Sequence, residues 1–471
     1  MLLPTNAPTN VPSPTPPKRR FGVRWGMVTL LALATTINYI DRSVLSFTML
    51  DDGFRRDMLA KPAGGLLTAA DLAQFKTHMG LVDSAFKWAY GLGFILVGWL
   101  IDRIGTRRGF AWSIFGWSAA GVAVGWVPRP GGAGSPVGWL AAARFALGVG
   151  EAGNYPSAIK SVAEWFPQRE RALATGIFNS GANIGIILTA LVVPWLTVQF
   201  GWRSAFVVTG ALGLGLLVLW LLFYHRPDDH PRLSPDELAH IRSDADPAAG
   251  SNGTGGPASG PASSPLSWWR LLGYRQTWAF ATGKIFTDPI WWFYLTWLPD
   301  FFNANERFTQ KLDLKTVGLP FLVIYLVSDL GNLVFGGLSS YWLRRGWSVN
   351  RARKMTMLVC ALCVLPVFGA SQTTDFRVAI GLIALATAAH QGFSINNFTL
   401  IADVFPKQAV ASVVGIGGLC GAIVGGTFAA FTGWVIAHLG YVPLFAFVST
   451  GYLIGLLIIH LLNPTLKRVE L

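Results

Sequence analysis

The sequence predicts an all-α protein that crosses a membrane many times. Hydrophobic residues make up 52% and charged residues 13% of the 471 positions, with a mean hydropathy of +0.45. That much apolar surface exceeds what a single soluble core can bury. Apolar stretches long enough to span a bilayer as helices recur at twelve places, and the alternating pattern of an outer-membrane β-barrel is missing. Helices, and not strands, are therefore expected to cross the membrane.

The spans fall into two groups of six. We place them at 25–48, 81–101, 109–127, 138–163, 171–198, 203–224, 276–302, 316–343, 354–371, 376–401, 408–437 and 441–462. A polar stretch rich in Gly, Ser, Pro and Ala separates the groups and cannot build a core. The expected organisation is a disordered tail at 1–22, a six-helix bundle at 23–224, a linker loop at 225–275, a second six-helix bundle at 276–463 and a tail at 464–471.

The two groups of spans also resemble each other in sequence. The segment from Gly150 to Gly176 aligns without a gap with a segment of the second half that contains Gly392. Matching pairs are Gly153/Gly392, Ala163/Ala402, Phe166/Phe405, Pro167/Pro406, Ala172/Ala411 and Gly176/Gly415. Two helical bundles related by a repeat are the architecture expected for alternating access, with a binding site between them.

The distribution of basic residues predicts the orientation. If both termini are cytoplasmic, cytoplasmic segments carry about twice as many Lys and Arg as external segments, which is the positive-inside bias. The net charge of +13 then reflects topology and an anionic lipid leaflet, so no nucleic-acid partner is expected. The N-terminal tail is Pro-rich and does not read as a secretory signal. The three cysteines all fall in spans, where packing is favoured over a disulfide or a metal site.

Two charged residues lie inside the first span, Asp41 and Arg42. A charge at mid-membrane costs about 2.5 to 3.5 kcal/mol on insertion scales, so this pair is expected to line a cavity. The alternative is that the two side chains pair where they are and only lock helices together. Adjacent helix residues point about 100° apart, whereas Asn38 and Arg42 share a face. We therefore expect separate roles for the acid and the base.

The fourth span carries a second polar stripe, formed by Arg144, Gly148, Glu151 and Tyr155. Their spacing puts them on one face of a helix, and the glycine allows close approach to a neighbour. Burial disfavours the charged form of a carboxylic acid, and a nearby cation favours it. Glu151 near Arg144 or Arg42 is thus a candidate for proton exchange. A static ion pair that locks two helices is the alternative.

Further cavity candidates in the first half are Lys87, Asn179 and Asn183. The two asparagines share a face of the fifth span and suit sugar hydroxyls, although interhelical hydrogen bonding explains them equally well. Lys87 heads the second span, from which its ammonium group reaches either into the cavity or outward to the membrane surface.

Candidates in the second half cluster on the seventh and tenth spans. Lys284 and Asp288 are spaced to pair on one helix, and Pro289 is expected to break that helix and free carbonyl groups. Trp292 follows, either in an interfacial belt or stacked on the apolar face of a pyranose. The tenth-span candidates are His390, Gln391 and Ser394.

The loop after the second span reads GWLIDRIGTRRG and resembles the signature of the major facilitator superfamily. The residues that carry the resemblance are Gly98, Asp102, Arg103, Gly105, Arg107 and Arg108. In that family the motif links helices on the cytoplasmic side and stabilises the outward-open state. We group Arg144 with this conformational set. The corresponding loop of the second half keeps Gly336, Arg344 and Arg345 but has no acid in the matching place.

A narrower resemblance covers most of the chain. NYIDRSVLS is similar to the first-helix signature of the anion:cation symporter family, and TDPIWWFYLTWLP and AHQGFSINNFTLIADVFP resemble bacterial hexuronate transporters. The resemblance implies the major facilitator fold and proton-coupled uptake of glucuronate or galacturonate. By the same resemblance, Asp41 and Glu151 handle protons and Arg42 binds the substrate carboxylate. Other site residues that it implies are Tyr39, Tyr90, Asn154 and Asn396.

Competing functions differ in what they require of the sequence. A carrier of another sugar acid or organic anion (an aldonate such as galactonate, or an aromatic or dicarboxylate anion), or a drug exporter, would keep the fold and change the pocket. A membrane enzyme would need a nucleophile or a metal cluster, and HExxH, GxSxG and phosphate-loop motifs are not found. We expect a monomer in the bacterial inner membrane that uses protons, a sugar-acid anion and lipid as partners, without a cofactor. The external segment 51–80 is longer than the family implies and receives no function.

Overall fold

The structure, a computed structural model, describes residues 22–243, 268–308 and 311–469. Its helices are α1 (Val23–Thr48), α2 (Asp52–Met58), α3 (Ala69–Ile104), α4 (Thr106–Val124), α5 (Pro136–Glu151), α6 (Asn154–Trp165), α7 (Gln168–Phe200), α8 (Trp202–Phe223), α9 (Pro235–Ile241), α10 (Trp268–Leu272), α11 (Arg275–Ala304), α12 (Gly318–Arg344), α13 (Val349–Val364), α14 (Phe376–Val404), α15 (Lys407–Leu439) and α16 (Val442–Leu462). A 3-10 segment, Leu365–Ser371, extends α13. The expected N-terminal tail, apart from Gly22, and the central part of the linker lie outside the described residues.

Nine helices or helix pairs within the described ranges are long and apolar enough to cross a membrane. The other three of the twelve expected spans correspond to α4, to α5 with α6, and to α11. These three pack among the nine, because α4 lies against α8, α5 lies against α3, and α11 lies against α15 and α16. The all-helical membrane fold predicted from the sequence is confirmed.

The fourth expected span is not one helix, which corrects the sequence-based prediction. It is interrupted between Glu151 and Asn154, where the backbone N–H of Gly153 bonds to the carbonyl of Gly150 three residues back. Glycines let the chain touch α4 here: an added Cβ on Gly153 would lie 2.0 Å from Ser113 Oγ. The polar stripe therefore ends at Glu151 in α5, and Tyr155 belongs to α6.

Pro289 does not break its helix, so that expectation was also wrong. Helix α11 continues through both Pro289 and Pro299. A proline removes one backbone donor, but neighbouring helices in a membrane bundle can satisfy the carbonyl group that is left free. Lys284 and Asp288 consequently stay on one continuous face with Trp292.

The two halves contact each other at one end of the bundle, which we call the far end. The described chain begins and ends at the opposite end, which we call the near end. The halves meet along three helix pairs, α1 with α11, α3 with α15, and α7 with α12. At the far end an added Cβ on Gly433 of α15 would lie 2.1 Å from the carbonyl oxygen of Lys76 in α3. Nearer the other end, an added Cβ on Gly176 or Gly418 would meet no described atom within 4 Å.

Buried apolar side chains follow the same division. One cluster crosses between the halves at the far end, where the rings of Phe47 and Phe321 lie 5.3 Å apart in an edge-to-face arrangement. The buried members of a second cluster, which includes Ile37 and Phe178, come from the first half and, at Ile241, from the linker, and Trp292 of α11 packs against it. The contacts between the halves named here thus lie toward the far end, as expected for one of the two states of alternating access.

Candidate functional site

An ion pair between α1 and α5 forms the centre of the site. Arg42 Nε lies 2.8 Å from Glu151 Oε2, and the two side chains are 9% and 0% exposed. The Arg42 guanidinium also lies over the rings of Tyr39 and Tyr90, at 4.6 and 4.7 Å from their centroids. Two aromatic faces and one carboxylate therefore fix the plane of the guanidinium, and an anion in that plane can receive two parallel hydrogen bonds from it.

Arg144 supports this arrangement from α5. Its guanidinium nitrogens donate to the backbone carbonyl of Arg42 at 3.2 and 3.3 Å and lie over the ring of Phe86 at 4.6 Å. These bonds hold the backbone of α1 rather than a side chain of the cavity. Arg144 thus braces the helix segment that presents Arg42.

Asp41 points away from its neighbour, as the helical geometry predicts. Its Oδ1 lies 3.8 Å from the position of an added Cβ on Gly121 of α4. The side chain is buried, and Thr209 of α8 lies within reach of its carboxylate.

A second buried ion pair, which was not predicted from the sequence, lies on α3. Lys87 and Asp83 contact each other one helical turn apart and are 4% and 2% exposed. Asp83 Oδ1 also accepts from the hydroxyl of Thr296 across the interface at 3.3 Å, and Lys87 Nζ lies 5.3 Å from the ring centroid of Trp292. Lys87 therefore points inward, and the spacing of Asp83 from it was the signal that the sequence offered.

A small cavity joins these groups at the contact between the halves. It encloses about 20 Å³, enough for one water molecule, and Arg42, Lys87, Arg144 and Trp292 all contribute to its wall. A sugar acid needs far more room. This cavity alone therefore cannot hold one.

Helix α11 contributes the charged groups of the second half. Lys284 Nζ lies 2.7 Å from Asp288 Oδ1, and both side chains are partly exposed. One turn further along, Trp292 meets Tyr90 edge to face, with ring centroids 6.4 Å apart. Lys284, Asp288 and Trp292 thus lie on the face of α11 that packs against α15, and Trp292 also reaches the first half.

The predicted asparagines of the first half have protein partners. Asn183 donates to the carboxylate of Asp329 across the interface between α7 and α12. Asn154 is buried and donates to Thr35 Oγ1 at 3.4 Å. Asn179 is exposed and accepts a hydrogen bond from the hydroxyl of Tyr155. Of the three, Asn179 has the most accessible side chain.

Of the four candidate residues on α14, two are buried and two are partly exposed. His390 is buried, lies 2.6 Å from the hydroxyl of Tyr452 and stacks on Trp291 with ring centroids 4.8 Å apart. Asn396 is buried and donates to the carbonyl of its own helix at Gly392. Gln391 and Ser394 are partly exposed. A ligand between the halves can reach the last two more readily than the first two.

The loop motif lies at the near end. Gly105 has φ +85°, a left-handed conformation that a glycine adopts without strain, and it separates α3 from α4. Arg107 donates to the carbonyl of Leu221 at 2.6 Å, and the indole of Trp220 donates back to the carbonyl of Arg107. This motif therefore ties α4 to α8. The side chain of Asp102 is outside the described set.

Two helical halves in contact at one end, with buried ion pairs beside that contact, are the architecture of a membrane carrier. Sequence comparison agrees, because the Major Facilitator Superfamily profile matches residues 31–430. The chain belongs to this superfamily and is a multi-pass membrane transporter, not an enzyme.

The chain is similar to curated transporters over nearly its whole length. It is 31% identical to a probable galactarate/D-glucarate transporter of Bacillus subtilis, covering 98% of this chain and 96% of the relative. It is 28% identical to the hexuronate transporter of Escherichia coli, covering 95% and 96%. The crystal structure of a D-xylose-proton symporter shares the fold, with a TM-score of 0.68, 16% identity and coverage of 95% and 99%.

Proposed function

We propose that the protein takes up a sugar-acid anion together with protons, with a hexuronate such as glucuronate or galacturonate as substrate. The observation that carries the proposal is the ion pair of Arg42 with the fully buried Glu151. The named transporters of galactarate, glucarate and hexuronate to which the chain is similar support the same substrate class.

Substrate recognition follows from the geometry of Arg42. A uronate carboxylate accepts two hydrogen bonds from the guanidinium fork, and the sugar hydroxyls face Tyr39 and Tyr90. Because the fork already contacts Glu151, the incoming carboxylate competes with that acid. A proton on Glu151 removes the competition, so proton binding and substrate binding favour each other.

Reorientation is coupled to the same charges. Without substrate, an unprotonated Glu151 keeps Arg42 paired and holds α1 against α5. With substrate bound and Glu151 protonated, the site again carries a balanced charge, and the halves can separate at the far end without exposing an isolated buried ion. Substrate alone or proton alone leaves the charges unbalanced. The loaded carrier therefore moves with both.

Asp41 is the second proton-handling acid in this proposal. Its buried carboxylate lies beside α4, one residue from Arg42 and behind the helix face that binds substrate. Release of its proton requires a partner or water to reach it, which rearrangement of α1 against α4 would provide. Asp41 is thus proposed to sense the conformational change rather than to touch the substrate.

The proposal also includes the orientation. With the excess of basic residues on the cytoplasmic side, both termini are cytoplasmic and the far end faces outward. The separated near end then opens to the cytoplasm. This state releases substrate into the cell.

Uptake of labelled sugar acids into proteoliposomes tests this function. Glucuronate and galacturonate should accumulate when the outside is more acidic than the lumen, and galactose should not. Accumulation of neutral sugars or of cationic drugs, with no uptake of any sugar acid, would contradict the proposal.

A further inference from the structure

The Asp83–Lys87 pair has no part in the function proposed above. It is as deeply buried as the Arg42–Glu151 pair and borders the same small cavity. Buried ion pairs are seldom the most stable solution, since apolar residues of similar size often stabilise a fold better. Stability therefore does not explain an ion pair at the contact between two moving halves, and ligand binding is the better explanation.

We propose that Lys87 is a second anion ligand, which lets the carrier accept a sugar acid with a carboxylate at each end in addition to a uronate. This inference rests on the proposed function, because it uses Arg42 for the first carboxylate. Both cations contribute to the wall of one cavity, and each is held by an acid, Glu151 or Asp83. A dicarboxylic sugar acid replaces both acids at once.

The surroundings of Lys87 suit this exchange. When a substrate carboxylate takes the ammonium group, protonated Asp83 keeps the hydroxyl of Thr296 as a partner. The ring of Trp292, 5.3 Å from Lys87 Nζ, covers the same region with an apolar face on which a sugar chain can lie. A lysine offers a point charge that adapts to a flexible chain end, whereas Arg42 imposes a plane on the first carboxylate.

Competition binding on the purified protein tests the inference, with galactarate and galacturonate as ligands. The informative variant is Asp83→Asn with Lys87→Met, because it removes both charges and leaves no uncompensated buried ion. Galactarate affinity should fall at least about tenfold further than galacturonate affinity falls, which corresponds to the loss of one charge-assisted contact. Lys315→Met, at an exposed lysine of the far-end loop, is the control for a lysine lost outside the cavity and should change neither.

The outcomes separate this inference from the proposed function. If galacturonate binds and galactarate does not, or if the double variant weakens both ligands equally, the second anion site is wrong and the function stands. If neither sugar acid binds the wild-type protein, the proposed function itself fails. A selective loss of galactarate supports both.

A separate observation concerns the segment 51–80, for which no function was expected. Asp300, near the end of α11, is 1% exposed and lies 3.6 Å from Arg55 Nη2 and 3.2 Å from Lys76 Nζ, both from the first half. The hydroxyl of Tyr441 donates to the same carboxylate. One acid of the second half is thus held by two cations of the first.

Apolar contacts anchor the segment to the first half. Phe54 of α2 is fully buried, with its ring 5.9 Å from that of Phe75 and 5.0 Å from that of Trp202. Arg55, the next residue, donates to the carbonyl of Met49 at 2.8 Å, which fixes its direction toward the second half. We infer that this segment is a latch that holds the far end closed.

Labelling at the far end tests the latch. Ser46 is 3% exposed at the contact between α1 and α11, so a cysteine there, in a variant without the three native cysteines, should react slowly with an impermeant maleimide. Asp300→Asn should accelerate labelling by at least about tenfold, since loss of an ion pair partner destabilises the closed end. Arg55→Gln should act in the same direction.

Asp313→Asn is the matched control, because that exposed aspartate bonds within its own loop. It should leave the labelling rate unchanged. Unchanged labelling in both folded latch variants would overturn the inference.

Discussion

Replacement of Arg42 by lysine keeps the positive charge and removes the planar fork. In the structure that fork makes one 2.8 Å bond to Glu151 and lies between two tyrosine rings. Lysine can still approach a carboxylate but loses one of two charge-assisted hydrogen bonds, each contributing about 1.5 to 3 kcal/mol. Since 1.4 kcal/mol is tenfold in affinity, Arg42→Lys should weaken uronate binding by about 10- to 150-fold.

Equilibrium binding to purified protein measures this change, with galacturonate and galactose on the wild type, Arg42→Lys and Arg42→Ala. Arg42→Ala should abolish uronate binding. Galactose has no carboxylate, so it should bind weakly to the wild type and lose little further affinity in either variant. An unchanged uronate affinity in folded Arg42→Ala protein would refute the reasoning and make Lys87 and Lys284 the next anion ligands to test.

Three further variants test the coupling and the conformational cycle. Glu151→Gln mimics the protonated acid and should impair proton-driven uptake more than counterflow, and equal loss of both in folded protein would favour a structural role. Asp41→Asn should lower both proton-driven uptake and counterflow, and its loss of counterflow should exceed that of Glu151→Gln. Counterflow at the wild-type rate in Asp41→Asn would exclude an obligatory role of Asp41 in transport. Gly433→Ala puts a methyl group 2.1 Å from the carbonyl of Lys76, so it should prevent closure at the far end and reduce uptake by at least about tenfold. Gly418→Ala, on the same helix with nothing within 4 Å among the described atoms, should keep normal uptake, and equal effects of the two alanines would contradict this.

The sequence was sufficient to predict the helical membrane fold and its two halves, because hydropathy and length depend on residues that are close in the chain. It also predicted that Asp41 and Arg42 would point in different directions, since that follows from helical geometry alone. The interruption between Glu151 and Asn154 was missed. It depends on how closely α4 approaches, and Ser113, which marks that approach, is distant in sequence.

Contacts between side chains of different helices were harder to predict than the directions of side chains on one helix. Lys87 could reach inward or outward by sequence alone, and the choice depends on Thr296 and Trp292 in the other half. The segment 51–80 gave even less information. In the sequence, Arg55 cannot be distinguished from an ordinary basic loop residue. Its partner Asp300 is recognised only in the packed structure.

The central claim is that one substrate anion and protons move together through a site built on Arg42 and Glu151. Proteoliposomes that contain a trapped pH indicator test it directly, with no pH gradient imposed and the membrane potential clamped at zero. Addition of external galacturonate should acidify the lumen in wild-type vesicles, and vesicles with the Glu151→Gln variant should show a much smaller change. Galacturonate entry without any acidification, or entry that depends on sodium and persists with a protonophore, would contradict the account.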